Sequence, residues 1–401
     1  MRIAIIGGGA AGFFLGAQLS SPFFDVHIFE KASTPLQKVK ISGGGRCNVT
    51  HACFDPNILI DYYPRGQKEL KSVFGRFQPG DTMGWFGERG VPLKIQDDMR
   101  VFPVSDNSAD IVACLINENQ KNNVQIHLNE TVKSVLNVED KFELITIQET
   151  YIFDKIVFAP GASKQAWQMI EKLGHKIIPP VPSLFTFNCK DHRIVDLPGT
   201  SFPNAEVKVK HSSLENSGSL LITHWGFSGP AILVLSAWGA RELADLNYKF
   251  TIQINFIGYH IETVLNELNE LKRNNQNQKV GKYAQFELTK RFWTSVLKTI
   301  KVDPDANWQE VSAKKLAHLA TALTQAEFEI NGKSTFKDEF VTAGGVDLKE
   351  IDFKTMQSKL TPNLYFAGEV LNIDAVTGGF NFQACWSESY IIAESLRSEN
   401  K

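Results

Sequence analysis

The sequence predicts an α/β protein whose parallel sheet is assembled from two segments of the chain. An antiparallel β domain that carries a helical subdomain is inserted between those segments. Three observations lead to this prediction. A short apolar run enters a glycine-rich loop at the N-terminus, strand patterns with alternating polarity begin near Phe185, and a second apolar run ends at Gly368. Strands buried on both faces of a parallel sheet are apolar throughout, whereas strands with one solvated face alternate.

The first thirty residues contain the most informative pattern. Ile3–Ile6 is an apolar run typical of a buried strand, and the residues from Gly7 to Gly12 follow it with the pattern G-x-G-x-x-G. Phe13–Leu19 then favours a helix, and Asp25–Glu30 favours a second strand that ends in an acidic residue. This order of strand, glycine loop, helix and acidic strand end is the fingerprint of a Rossmann-type adenine-dinucleotide site.

Each glycine of this loop has a separate physical role. Gly7 permits a tight turn out of the strand, Gly9 leaves room for a pyrophosphate, and Gly12 lets the helix approach the strand closely. The free N–H groups and the positive end of the helix dipole face the phosphates. Glu30 is placed to accept hydrogen bonds from a ribose diol, and its charge would repel a 2′-phosphate.

The composition describes an ordinary soluble globular protein. Of the 401 residues, 43% are hydrophobic and 21% are charged, and the net charge is −2. We therefore expect two or three domains, and we expect neither a nucleic-acid partner nor a membrane, because no basic stripe and no long apolar run is evident. Five scattered cysteines and the lack of a signal-peptide pattern favour a cytoplasmic protein. One biased segment, Lys272–Lys279, is most simply a solvated helix end and loop.

A second glycine-rich segment lies at Ser42–Asn48. Its three consecutive glycines offer backbone that a ligand can approach closely, and Arg46 can neutralise a pyrophosphate with its forked donors. Together, Gly7–Gly12 and Ser42–Asn48 resemble the YhiN/BaiN-type flavoprotein family. This resemblance implies a Rossmann-type FAD-binding domain and the activity of an NAD(P)/FAD-dependent oxidoreductase.

Later blocks resemble the same family and occur in the family's order. Thr223–Leu233 is similar to its T-H-x-G-x-S-G-P-A-x-L block, and Val341–Val346 is similar to its T-x-G-G-V turn back into the FAD domain. Thr355–Lys359 is similar to its T-M-x-S-K block, and Leu364–Glu369 resembles the distal flavin motif of two-segment FAD domains. Thr377–Gln383 opens the last helix, whose N-terminus would face the flavin pyrimidine edge.

The turn that follows the strand beginning at Lys155 departs from the family pattern. The family usually has A-T-G-G where this chain has Ala159-Pro160-Gly161-Ala162. Because Pro160 has no N–H to donate, a cofactor contact usually made there is in doubt.

The nearby patterns Phe142–Ile147 and Tyr151–Phe153 predict a hairpin laid across the FAD domain.

These patterns set the expected domain boundaries. The FAD-binding domain is expected at 1–184 and 341–401, the inserted β-rich domain at 185–257 and 326–340, and the helical subdomain at 258–325. The helical subdomain is predicted to contain three helices, Ile261–Leu271, Phe286–Ile300 and Trp308–Leu323.

The glycine loop and the family resemblance together select the candidate site residues. The candidate cofactor-binding residues are Gly7, Gly9, Ala11, Gly12, Glu30, Lys31, Lys38, Gly44, Gly45, Arg46, Cys47, Gly161, Gly368, Glu369, Gly378, Gly379, Phe380 and Asn381. The candidate polar groups for catalysis are His224, Asn48 and Asn381. No metal is expected.

The sequence-based interpretation is an FAD-binding oxidoreductase that transfers a hydride between flavin N5 and an unidentified small molecule. NADH or NADPH is the candidate transient donor. The family resemblance suggests reduction of conjugated double bonds, and a uracil ring in RNA is chemically such a substrate. The substrate, the donor and the oligomeric state stay open at this stage.

Two alternatives differ in chemistry. An enzyme like the pyridine-nucleotide-disulfide reductases would need a redox pair with the spacing C-x4-C, whereas five residues separate Cys47 from Cys53. The extra residue would rotate the second sulfur by about 100° on a helix. The second alternative is a protein without turnover, either a flavin-bound redox sensor or a nucleic-acid-associated protein. Thiol titration before and after reduction distinguishes a disulfide reductase from the leading interpretation. A reduced flavin that no candidate acceptor reoxidises faster would favour the sensor.

Overall fold

The computed structural model describes residues 1–20, 22–334 and 341–399. Residues 335–340 of the expected β-rich domain and residues 400–401 of the expected FAD domain lie outside the described residues. The chain divides into two compact units, Met1–Val181 with Lys337–Lys401 and Pro182–Phe336. Within the described part of the chain, we find no helix that is both long enough and apolar enough to cross a membrane.

The strands fall into three consecutive stretches of the chain. The first stretch contains β1 (Arg2–Ile6), β2 (Asp25–Phe29), β3 (Thr50–His51), β4 (Leu93–Ile95), β5 (Arg100–Pro103), β6 (Gln125–His127), β7 (Val132–Val138), β8 (Lys141–Thr146), β9 (Thr150–Phe153), β10 (Lys155–Phe158) and β11 (Ile177–Ser183). The second unit contains β12 (Thr186–Asn188), β13 (Ser201–Val209), β14 (Glu215–Ile222), β15 (Gly226–Ser228), β16 (Lys249–Asn255), β17 (Ala326–Asn331) and β18 (Lys333–Ser334). The C-terminal stretch contains β19 (Val341–Val346), β20 (Ile351–Asp352), β21 (Gln357–Ser358) and β22 (Leu364–Phe366).

The helices alternate with these strands. Those of the first unit before residue 182 are α1 (Ala10–Gly16), α2 (Gln37–Gly45), α3 (Pro56–Leu59), α4 (Gln67–Phe74), α5 (Pro79–Glu88), α6 (Ser108–Lys121) and α7 (Lys164–Lys172). Those of the second unit are α8 (Pro230–Trp238), α9 (Ala240–Asp245), α10 (Ile261–Asn274), α11 (Lys290–Thr299) and α12 (Ala313–Thr324). The C-terminal helix of the first unit is α13 (Phe380–Ser398).

The first unit is built on a seven-stranded sheet with the order β20-β21-β22-β10-β1-β2-β6. The run from β22 to β6 is parallel, and β20 and β21 form an antiparallel edge. Ile3, Ala4 and Ile5 of the central strand have no exposed surface. Because β22 pairs with β10 across some two hundred residues of chain, the C-terminal segment completes the sheet that the N-terminal segment begins. The predicted two-segment parallel sheet is therefore present.

Several predicted elements of the first unit differ in their bounds. The helix after the glycine loop begins at Ala10 rather than Phe13, with Gly9 as its N-cap. The predicted hairpin is a three-stranded sheet, because β7 joins β8 and β9. The predicted turn at Val341–Val346 is the strand β19, which pairs with β11. A Cβ at Gly344 would lie 2.6 Å from the Cα of Pro180, so this glycine serves close backbone packing rather than a turn.

The second unit is built on an antiparallel sheet with the order β17-β16-β13-β14-β15-β12-β18, as the alternating patterns predicted. Helices and strands of this unit share one core, in which Trp293 and Trp308 of the helical part are buried together with Phe328 of the sheet. The division into a β-rich and a helical part stays a prediction.

Capping residues explain where two of its helices start. α11 begins at Lys290 rather than Phe286, because the Thr289 side chain accepts the N–H of Phe292. α12 begins at Ala313 rather than Trp308, because Ser312 caps it. In these two helices the capping residue, rather than the periodicity of the apolar residues, determines where the helix begins.

Candidate cofactor site

The glycine loop adopts the geometry that its sequence predicts. Gly7 has φ of +118°, and a Cβ there would lie 2.3 Å from the carbonyl oxygen of Ala159 on the neighbouring strand. A Cβ at Gly12 would lie 2.1 Å from the carbonyl oxygen of Gly7. A Cβ at Gly9, by contrast, would meet nothing within 4 Å. Gly7 and Gly12 are therefore required by packing, whereas Gly9 leaves open space at the N-terminus of α1.

Glu30 lies across this loop. Its Oε2 accepts the N–H of Gly8 at 2.8 Å, and its Oε1 accepts the N–H of Ala32 at 2.8 Å. Each carboxylate oxygen keeps further lone pairs for a ligand hydroxyl. Glu30 and Lys31 also line a small cavity of about 60 Å³, together with Gly7 and Pro160. The structure thus brings the acidic strand end and the glycine loop into one cradle.

A second cradle forms where α2 ends. Its backbone leaves the helical conformation at Ser42, and a Cβ at Gly44 or Gly45 would meet nothing within 4 Å. The guanidinium of Arg46 lies 4.1 Å from the ring centroid of Phe102 and 3.6 Å from Asp106, which also pairs with Lys94. Arg46 is therefore already engaged by an aromatic ring and a carboxylate. It nevertheless stays about one-third exposed.

Cys47 follows this turn and is completely buried. Its burial raises the pKa of the thiol to about 12. The partly exposed Cys53 also has a raised pKa, again mainly through burial. All five cysteines are free thiols. Cys47 therefore packs as a small apolar residue, and neither thiol has the lowered pKa of a reactive cysteine.

Lys38 and Glu369 meet although 331 residues separate them. Lys38 Nζ lies 2.6 Å from Glu369 Oε2, and the N–H of Thr342 donates to Glu369 Oε1 at 3.0 Å. A Cβ at Gly161 would lie 3.8 Å from the same Oε2 atom. The adjacent Gly368 lies close to Ala11, because a Cβ there would be 3.4 Å from that of Ala11. These predicted cofactor residues from distant segments form one cluster beside α1.

The N-terminus of α13 is packed against β3. A Cβ at Gly379 would lie 2.6 Å from the backbone of Thr50, and a Cβ at Gly378 would lie 3.5 Å from the His51 ring. Phe380 is buried and stacks on that imidazole ring with centroids 4.5 Å apart. These three predicted residues therefore lie together, next to a histidine that the sequence analysis did not select.

Asn381 has a clear structural role. Its Oδ1 accepts the N–H of Ala375 at 3.0 Å, and its Nδ2 donates to the carbonyl of the same residue at 3.1 Å. Because both amide atoms bind this loop, Asn381 holds the segment that precedes the glycine turn. Its catalytic role stays a prediction.

Three buried polar atoms near these cradles have no hydrogen-bond partner among the described residues. They are Asn48 Oδ1, His51 Nδ1 and Thr342 Oγ1. Buried polar atoms are normally paired, so each of these is suited to a ligand or a water molecule. Asn48 was selected from the sequence, whereas His51 and Thr342 were missed. Their one sequence signal is position, because they lie in or beside the glycine-containing blocks.

His224 belongs to the second unit. It lies exposed in the turn between β14 and β15, where the Thr223 hydroxyl accepts the N–H of Trp225 at 3.2 Å. The Trp225 side chain is also exposed. The proposed catalytic role of His224 stays a prediction.

Comparison with known proteins identifies the family. The model of the HI0933-like protein Rossmann domain matches residues 1–395 of the chain. The chain belongs to this family. The resemblance to YhiN/BaiN-type flavoproteins is confirmed, and so is the predicted Rossmann-type fold class.

Relatives of this chain align with it over almost their whole lengths. A ribosomal RNA dihydrouridine synthase from Escherichia coli is 29% identical and covers 98% of this chain and 97% of the relative. The protein of the same name from Haemophilus influenzae is 30% identical over the same shares. A 3-dehydro-bile acid delta(4,6)-reductase from Clostridium scindens is 24% identical and covers 97% of both chains. These matches place the protein among FAD-binding oxidoreductases.

A solved structure shows the same fold at low identity. The 3-ketosteroid-Δ4-(5α)-dehydrogenase from Rhodococcus jostii RHA1 superposes with a TM-score of 0.51 and 11% identity, covering 98% of this chain and 96% of the other. The chain therefore shares the fold of that enzyme.

The cradles fit FAD. Gly9, Gly44 and Gly45 would each direct a Cβ into open space where a cofactor can approach, and the unpaired atoms of Asn48 and Thr342 lie in adjoining segments. In this arrangement the α1 N-terminus and Glu30 would hold the dinucleotide part, as in other Rossmann-type sites.

Replacing Gly9 with alanine separates cofactor binding from folding. The backbone there has φ of −93°, which alanine adopts without strain, and the new Cβ meets no protein atom. We expect the free energy of unfolding of the apoprotein to fall by about 1 kcal/mol or less, because alanine is a poorer N-cap than glycine. FAD affinity should fall about tenfold or more, since a methyl group would occupy the phosphate approach. FAD fluorescence titration measures the affinity. Gly84→Ala, also in open space but on α5, is the matched control, and wild-type affinity in Gly9→Ala would contradict the assignment.

Proposed function

We propose that this protein is an FAD-dependent reductase of carbon–carbon double bonds conjugated with a carbonyl group, and that its substrate is a uracil ring in ribosomal RNA. The supporting observation is the near-full-length similarity to relatives with two different names. Dihydrouridine is uridine with one ring double bond reduced, and a delta(4,6)-reductase also reduces carbon–carbon double bonds. The proposal for this chain is based on the chemistry that both names share, the reduction of a carbon–carbon double bond.

Sequence identity favours RNA over a bile acid. The two dihydrouridine synthases are 29% and 30% identical to this chain, against 24% for the bile acid reductase. The expectation of a small-molecule substrate without a nucleic acid was based on the net charge of the whole chain and on the lack of an evident basic stripe. Net charge does not describe how charges are distributed on the surface, so the proposal extends the substrate to a base within RNA.

Residues of the first unit would supply binding and orientation. Bound FAD supplies the hydride at N5. Glu30 and the α1 N-terminus would hold the adenosine and pyrophosphate, while Lys38 would bring one positive charge beside them. Asn48 and His51 would offer their unpaired buried atoms to polar groups in the adjoining space. NADPH or NADH as the electron donor belongs to this proposal.

The thiol chemistry of a disulfide reductase is not favoured by this geometry. Such an enzyme needs a thiolate, and burial keeps the Cys47 thiol protonated with a pKa near 12. The buried position of Cys47 also denies access to a disulfide substrate.

The proposed activity can be tested with reduced protein and RNA. The purified protein is expected to be yellow, to bleach with NADPH or NADH without oxygen, and to be reoxidised faster when unmodified ribosomal RNA transcripts are added. Mass spectrometry of the digested RNA should then show uridine that has gained two hydrogens. A 3-keto steroid acid with conjugated double bonds serves as the alternative acceptor. Reoxidation by that acceptor alone would reject RNA as substrate, and reoxidation by neither would favour a redox sensor.

A further inference from the structure

The charges of the second unit are unevenly distributed. Residues 272–301 hold eight Lys or Arg residues and one acidic residue, Glu287, in a chain whose net charge is −2. This basic segment comprises the end of α10, the following loop and α11. Of the eight cations in the basic segment, Lys272 is half-buried. The other seven are exposed, namely Arg273, Lys279, Lys282, Lys290, Arg291, Lys298 and Lys301.

Carboxylates neutralise little of this charge. Among the described residues, the basic segment forms a single ion pair, between Lys279 and Asp305 at 2.7 Å. Lys290 donates to the carbonyl of Lys282 at 2.7 Å, and Arg291 donates to the carbonyl of Pro198 at 2.7 Å. Carbonyl contacts fix the direction of these side chains without cancelling their charge. Of the eight cations, one is thus paired with a carboxylate in the described part of the chain, and Lys290 and Arg291 are held by carbonyl groups, so ion pairs cancel little of the positive charge of the segment.

The same segment presents groups that recognise bases. Tyr283 is 57% exposed, and Lys282 Nζ lies 5.0 Å from its ring centroid. Lys272 and Arg273 also line a groove of about 780 Å³. Its other lining residues are the amides of Asn266, Asn269, Gln276 and Gln309, the carboxylate Glu270, and the apolar Ala313 and Leu316. Exposed rings stack on unpaired bases, and amides bond base edges and phosphates.

We propose that the basic segment is the surface through which this protein binds RNA. This inference rests on the proposed function and adds the place where the RNA docks. Cations alone would also suit an anionic bilayer. The exposed Tyr283 and the amide-lined groove favour RNA, because they offer contacts to bases that a bilayer surface does not present.

Neutralising three of the cations tests this surface. The variant Lys282→Gln, Lys298→Gln, Lys301→Gln removes charge from exposed positions and keeps side-chain length. The control variant Lys71→Gln, Lys133→Gln, Lys172→Gln removes the same charge from exposed positions of the first unit. Binding of ribosomal RNA transcripts to each holoenzyme is measured by fluorescence anisotropy over a range of salt concentrations.

We expect the first variant to bind RNA about tenfold or more weakly at low salt, with a salt slope smaller by about 2, because three phosphate contacts are lost. The control should bind within about twofold of wild type. Equal loss in both variants, or no loss in the first, would overturn the inference. Binding of wild type to phosphatidylglycerol vesicles but not to RNA would overturn it as well.

The proposed function is tested by a separate measurement, the amount of dihydrouridine formed in the same transcripts. If wild type forms dihydrouridine while the first variant binds RNA normally, the docking surface is wrong and the function stands. If RNA binding depends on the basic segment but no dihydrouridine forms, the surface stands and the function is wrong.

Discussion

Replacing Arg65 with alanine is expected to lower the free energy of unfolding by about 3–5 kcal/mol. Arg65 pairs through two of its nitrogens with both oxygens of Asp374, whose side chain has no exposed surface. The variant would leave that carboxylate buried without its guanidinium. The pair also joins the segment before α4 to the loop before Gly378, so FAD affinity should fall together with stability. Urea unfolding and FAD titration measure the two effects.

Arg76→Ala is the matched control. Arg76 also pairs with a carboxylate of the first unit, Glu394 at 2.5 Å, but both side chains are more than one-third exposed. Exposed pairs contribute about 0–1 kcal/mol, so this variant should stay close to wild type. The double variant Arg65→Ala, Asp374→Ala should recover part of the lost stability, because the buried carboxylate is removed together with its guanidinium. If Arg65→Ala and Arg76→Ala lowered the free energy of unfolding by similar amounts, burial of the Arg65–Asp374 pair would not be the cause of the destabilisation.

Local patterns were enough to predict the two-segment sheet and the glycine loop. Ile3–Ile6 is apolar because both faces of β1 are covered, and Gly7 and Gly12 are glycine because a Cβ would touch backbone at either position. Such constraints act within a few residues and can therefore be read in order along the chain. The start of α12 was misplaced because the apolar period extends through Trp308, whereas the Ser312 cap sets the helix boundary.

The candidate site was predictable only where its residues carry a glycine pattern or a family block. The ion pair of Arg65 with Asp374 spans 309 residues, and neither residue lies in a recognisable pattern. His51 was missed because a lone histidine beside a glycine-containing block gives no sign of the Phe380 ring that it meets. Contacts between distant segments depend on the assembled fold, and one sequence does not contain that information in readable form.

Glu388 on α13 is another residue that the sequence analysis missed. Its side chain has no exposed surface, and its Oε2 accepts the N–H of Gly368 at 2.5 Å. Its Oε1 has no partner within the described residues. Burial raises the pKa of this carboxyl to about 8, although the Gly368 hydrogen bond opposes the shift. The titratable neighbours Tyr63 and Cys385 also have raised pKa values, mainly through burial, and offer no positive charge.

The variant Glu388→Gln is expected to change how stability depends on pH. In the unfolded chain this glutamate has a pKa of about 4.5, so between that pH and pH 8 the unfolded state loses a proton that the folded state keeps. Wild type therefore loses up to about 1.4 kcal/mol of stability per pH unit through this residue in that range. Glutamine removes the loss, and its amide oxygen can still accept the Gly368 N–H. The stability of the variant relative to wild type should rise from pH 5 to pH 8.

Urea unfolding at one fixed FAD concentration measures this difference, with Glu394→Gln on the same helix as control. Glu394 is 44% exposed, so its difference from wild type should stay within about 1 kcal/mol at every pH. A flat difference for Glu388→Gln would mean that the carboxyl is ionised in the folded protein and has a partner in solution. The distinction bears on the cofactor, because Gly368 adjoins Glu369. A protonated Glu388 leaves the Lys38–Glu369 pair balanced beside the pyrophosphate cradle, whereas an ionised one would add an uncompensated negative charge there and weaken FAD binding.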